Sequence, residues 1–99
     1  MRFVPIEIDD YIDLHQKSNS GCNREELREA LRAALVALRA GESCTCGNRI
    51  WVIGSALAGR ACFTCITGEA APDADFEIAE ACRWNQAEER AGTRSRNRR

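Results

Sequence analysis

Four cysteines constrain this chain more than any other feature. Cys44 and Cys46 stand as Cys-x-Cys-Gly and Cys62 and Cys65 as Cys-x-x-Cys, with fifteen residues, 47 to 61, between the pairs. Two thiol pairs at this separation predict one tetrahedral metal site with Cys44, Cys46, Cys62 and Cys65 as ligands and a structural Zn²⁺ as the ion. A site with thiolate at all four positions leaves no open place for water or substrate, so it speaks for architecture rather than catalysis. The same ligand set also suits an iron–sulfur cluster. A redox role for Cys62 and Cys65 would need a low-pKa thiol at a helix start, whereas the residues around this pair read as strand.

A metal matters here because the chain is short. Its 99 residues fit one domain with a modest core. Structural zinc in small peptides binds with roughly 10 to 16 kcal/mol at neutral pH, as much as the whole stability of a typical domain. Loss of the ion is therefore expected to unfold the region that holds it.

The N-terminal residues, Met1-Arg-Phe-Val-Pro-Ile-Glu-Ile-Asp-Asp10, contain no continuous apolar run of the kind found in a secretory signal. No segment approaches the ~20 apolar residues needed to span a bilayer. The expected location is the reducing cytoplasm, where paired cysteines are metal ligands or redox groups more often than disulfides.

The net charge of −1 conceals an uneven distribution. Of the 14 basic residues, five (Arg90, Arg94, Arg96, Arg98 and Arg99) lie in the last ten positions, which hold no acid. Positions 1 to 89 therefore carry nine basic against 15 acidic residues, a net of −6. An acidic body repels phosphate backbones, while a basic tail attracts them or folds back on its own acidic surface.

The hydrophobic pattern predicts two helices. The first, at about 9 to 18, has Asp9 or Asp10 as N-cap and Ile8, Tyr11, Ile12 and His15 near one face; Ser18-Asn-Ser-Gly21 breaks it. The second, at about 24 to 40, opens on Asn23 with Glu26 three residues on, and stops at Gly41. Leu27, Leu31, Ala34, Leu35 and Leu38 form its main stripe, and Ala33-Ala-Leu-Val-Ala-Leu38 has no polar side chain, which predicts burial on several sides or a dimer contact.

Ile50-Trp-Val-Ile53 then reads as a strand apolar on both faces, and Leu57-Ala-Gly-Arg60 as a turn that returns the chain to Cys62 and Cys65. Phe76-Glu-Ile78 is a third strand, or Asp75 caps a helix running through Trp84; the pattern does not separate the two. The expected fold is α+β: two N-terminal helices packed on a small zinc-pinned β-hairpin or three-stranded ribbon. Residues 1–90 form the single domain, with the ribbon at 44–68, and 91–99 a disordered basic tail.

The block Cys44-Thr-Cys-Gly-Asn-Arg-Ile-Trp-Val-Ile-Gly-Ser-Ala, continuing to Cys62-Phe-Thr-Cys-Ile-Thr-Gly-Glu69, resembles zinc-ribbon and related knuckle proteins. More narrowly, it is similar to a group of short uncharacterised bacterial proteins with these same segments. The resemblance covers about a quarter of the chain and implies a metal and a ribbon-like hairpin, with no activity attached. Cys-x-Cys departs from the commoner Cys-x-x-Cys first knuckle.

Outside the quartet, Cys22 and Cys82 read as small buried apolar residues. His15 is the one histidine, and a Cys22–His15 nucleophile–base pair lacks an orienting third residue. The expected role is thus that of a non-catalytic structural-zinc protein acting through association with another protein or a second copy of itself. Trp51, Ile53 and Phe63 are the expected contact residues. The alternative is a nucleic-acid-binding ribbon that uses the arginine tail, with Trp51, Phe63 or Trp84 stacking on bases.

Overall fold

The computed structural model of the protein describes residues 3–87. In chain order it runs β1 (Val4–Ile6), α1 (Ile8–Ser18), α2 (Arg24–Arg39), α3 (Val52–Ala58), α4 (Phe63–Thr67) and β2 (Phe76–Ile78). Residues 79–87 continue as helix to the end of the described chain (α5). The expected basic tail, 91–99, lies outside the described residues.

The two long helices form where expected, with one changed boundary. The N-cap of α1 is Glu7, without a side-chain cap, while Asp9 and Asp10 lie inside the first turn, where acidic groups complement the positive helix end. Asp9 instead accepts a hydrogen bond from Arg28 at 2.8 Å, and Asp13 one from Arg24 at 2.8 Å, so these carboxylates lace α1 to α2. These are exposed pairs and add little to stability. At α2 the Asn23 side chain accepts from the Glu26 N–H at 3.1 Å, as the sequence predicts. The other end closes through Gly41, with φ of 92°: its N–H donates to Leu38 and the Glu42 N–H to Ala37, the paired bonds of a Schellman stop.

α2 is the centre of the molecule, packed against both α1 and α3. Its stripe of Leu27, Leu31, Ala34, Leu35 and Leu38 is buried, as is Ala37, and meets Ile12 from α1, Ile50, and Val52 and Ile53 from α3. Val36, on the outer face, stays 65 % exposed.

The expected hairpin does not form. Ile50 and Trp51 lead directly into helix α3, and the residues around Cys65 are helix α4. The observed strands are β1 and β2, which pair in parallel with Val4 opposite Phe76, Pro5 opposite Glu77 and Ile6 opposite Ile78. The physical reason lies in the pattern. Four apolar residues in a row suit a buried helix as well as a buried strand, and period alone does not separate them. At 76–84 both readings hold in succession, since strand β2 passes straight into α5.

Glu77 explains why helix wins at 52. Its carboxylate is 1 % exposed and accepts from the backbone N–H groups of Val52 at 2.8 Å, Ile53 at 3.2 Å and Ile78 at 2.9 Å. The first two are unpaired donors of the opening turn of α3, satisfied by a side chain from another element. Behind that turn the Trp51 ring lies over Gly54, where a Cβ would collide with the ring and come within 2.7 Å of Ile66. Only glycine permits that approach.

Candidate metal centre

Two tight turns bring the four cysteines together. In the first, the Cys44 N–H donates to Asn48 and the Gly47 N–H back to Cys44, both at 2.8 Å, with an antiparallel bridge between Ser43 and Arg49 closing the loop. Gly47 has φ of 97°, a backbone conformation that costs glycine little and other residues more. In the second, Cys62 is the N-cap of α4 and its Sγ accepts from the Cys65 N–H at 3.4 Å; Gly68, with φ of 84°, ends that helix. The two loops are tied by the Trp51 N–H donating to Ala61 at 2.9 Å and by Ser55, whose hydroxyl donates to the Ala61 carbonyl and accepts from its N–H.

The Sγ atoms of Cys44, Cys46, Cys62 and Cys65 all lie within 4.8 Å of one another. A tetrahedral zinc with Zn–S bonds near 2.3 Å needs sulfurs about 3.8 Å apart, so the donor set fits one ion with small adjustments. The ligands are unequal. Cys44 and Cys62 are buried and Cys46 and Cys65 exposed, one of each in either turn.

Their chemistry differs accordingly. The backbone N–H groups of Cys46 and then Cys62, aimed at the Cys44 sulfur, hold its thiol down at about 6 against the usual 9.0. Burial pushes the Cys62 thiol up, but the Cys65 N–H and the side chains of Cys46, Asn48 and Cys65 outweigh it and leave the thiol below its ordinary value. Hydrogen bonding to Cys44, Cys62 and Cys46 pushes the Cys65 thiol up to about 12. The Asn48 amide, 3.8 Å away, donates to the Cys62 sulfur.

One premise of the sequence reading is overturned here: Cys62 sits at the start of a helix, not between strands. Cys22 and Cys82 are half-buried and outside the cluster. Burial, with the Glu77 charge behind it, pushes the Cys82 thiol up. Cys22 and His15 both border an open recess of about 670 Å³ between the α1–α2 turn and α3. The His15 ring has Tyr11 for a neighbour, 3.4 Å from Nδ1, and no hydrogen bond to Cys22 is formed among the described residues.

The expected contact residues are occupied internally. Ile53 and Phe63 are buried, and Trp51 donates to the Phe76 carbonyl at 2.9 Å while stacking on Phe3 at 5.8 Å and meeting Phe63 edge-on at 5.0 Å. This aromatic cluster braces the cysteine turns from within. Glu77, which the sequence reading passes over, is the other structural key; an acid between Phe76 and Ile78 in a buried strand is the only local sign of it. Among the described residues no helix is long and apolar enough to cross a membrane. No family model matches the chain, and no curated protein and no solved structure matches it either.

Proposed function

We propose that Cys44, Cys46, Cys62 and Cys65 bind one structural Zn²⁺ and that the protein is not an enzyme but acts by associating with another protein or with a second copy of itself. The convergence of four sulfurs within 4.8 Å carries the metal reading. Four thiolates on one Zn²⁺ leave a closed site with a net charge of −2, which fits a structural ion and adds to the acidic character of the body. Such a surface favours basic or neutral protein partners over phosphate backbones. The exposed apolar side chains Val36 on α2 and Leu57, 52 % exposed, on α3 are the positions chosen to test association.

A nucleic-acid reading draws on one separate feature. Arg39 lies over the Trp84 ring, 6.0 Å from its centroid, beside a recess of about 380 Å³ that Arg83 and Glu80 also line. Glu80 opposes phosphate there, so association with protein remains the preferred reading.

The test has two parts. Metal analysis of the purified chain should give one zinc per chain, with iron and the visible absorbance of a cluster as the contrary result. Sedimentation should reveal self-association that Val36→Glu or Leu57→Glu weakens, or a monomer available to another protein. A monomer that binds mixed nucleic-acid oligomers tightly, with steep salt dependence, would replace this role with the second reading.

A further inference from the structure

The centre joins two sulfurs of opposite accessibility across its two turns. Cys46 is exposed, Cys62 is buried, and their Sγ atoms are 3.5 Å apart. We infer that the metal centre is gated by peroxide: oxidation links Cys46 to Cys62, expels the Zn²⁺ and leaves the helical core folded. This rests on the zinc reading above.

The chemistry balances with hydrogen peroxide as the oxidant. The exposed Cys46 thiolate attacks one peroxide oxygen, the O–O bond breaks, and hydroxide leaves, giving a sulfenic acid at Cys46. The Cys62 thiolate then attacks the Cys46 sulfur, an S–S bond forms, and the second hydroxide departs. Two protons convert both hydroxides to water; the two sulfurs together lose two electrons and the peroxide gains them. Cys44 and Cys65 remain as the only thiolates, too few for a stable tetrahedral zinc site, and the ion leaves.

Each half of the pair is prepared for its part. Cys46 stands on the solvent side, where a small oxidant reaches it. Cys62 is held facing it at the α4 N-cap, with the Cys65 N–H at 3.4 Å and the Asn48 amide at 3.8 Å as donors to its sulfur. Metal and disulfide are thus alternative links between the same two turns. Helices α1, α2 and α3 do not depend on either: Ile12, Leu31, Val52 and Ile78 are fully buried between them and β2, and Glu77 fastens β2 to α3 from inside that core.

The full chain is loaded with zinc, freed of excess metal and titrated with hydrogen peroxide while a chromogenic chelator reports the released ion. Non-reduced peptide mapping and circular dichroism follow the same samples. The expected result is one zinc released for each peroxide consumed, a product lighter by two hydrogens with a Cys46–Cys62 cross-link, unchanged helical signal, and reloading after thiol reduction. The Cys22→Ser/Cys82→Ser double variant should respond identically. Zinc retained under excess peroxide, a cross-link between any other cysteines, or loss of the helical signal on release would each overturn the inference while leaving the zinc reading intact. A chain that takes up no zinc at the loading step refutes the zinc reading itself, and this inference with it.

Discussion

The helical core and the cysteine turns are built on different principles. In the core, α2 presents leucines to α1 and α3, and Glu77 satisfies three backbone donors at once. The turns around Cys44 and Cys62 bury two sulfurs, expose two, and are braced by one aromatic cluster at their base. A core of this kind is stabilised by apolar burial whatever ion is present. The turns gather four thiols whose ionised forms would repel one another unless a cation sits between them. The difference teaches that a metal bound at the four sulfurs would govern a region, dividing the molecule into a part that folds by burial and a part that the proposed ion completes.

Removing the metal should therefore produce the largest and most local effect. Chelation is expected to raise amide hydrogen exchange at 43–49 and 61–68 while leaving the middle of α2 protected. Structural zinc is worth roughly 10 to 16 kcal/mol in isolated peptides, so uniform loss of protection across α2 would erase the distinction between the regions. A core truncation should do the converse. Leu31→Ala is expected to cost about 2–5 kcal/mol by denaturant titration, with the metal still bound in the folded fraction.

Glu77 sharpens the comparison because its charge is a burden on the core. Burial pushes its carboxyl up to about 7 from 4.5, the three N–H donors drawing it only part of the way back. The folded chain thus keeps a proton that the unfolded chain releases, and stability falls as pH rises from 4.5 to about 7. The full change is on the order of 3 kcal/mol. Glu77→Gln should abolish that slope, read as the difference between the two proteins across the window. Glu77→Ala, which strands buried N–H groups, should destabilise at every pH by about 1–3 kcal/mol or more. The smallest effect belongs to the surface end of α2: Asn23→Ala should cost about 1 kcal/mol by loss of its bond to the Glu26 N–H and leave metal content unchanged.

What the sequence discloses follows the same division. The long helices were legible because capping residues and a 3.6-residue period are local: Asn23 with Glu26, the leucine stripe, and Gly41. The cysteine quartet was legible from spacing alone, and its four sulfurs do converge. Helices α3 and α4 were hidden because Ile50-Trp-Val-Ile53 has no period and α4 is a single short turn. The reason Val52 opens a helix lies 25 residues away, at Glu77. The parallel β1–β2 pair was equally beyond a local reading, since Val4 and Phe76 are separated in the chain by α1 to α4.

Cys44, Cys46, Cys62 and Cys65, and not Cys22 or Cys82, are proposed to hold one metal ion. Native mass spectrometry of the six single Cys→Ser variants tests this directly. Zinc at one per chain is expected in the Cys22 and Cys82 variants, and loss of stoichiometric zinc in those at Cys44, Cys46, Cys62 and Cys65. Retention of a full zinc by any of these four, or its loss from the Cys22 or Cys82 variant, would contradict the assignment.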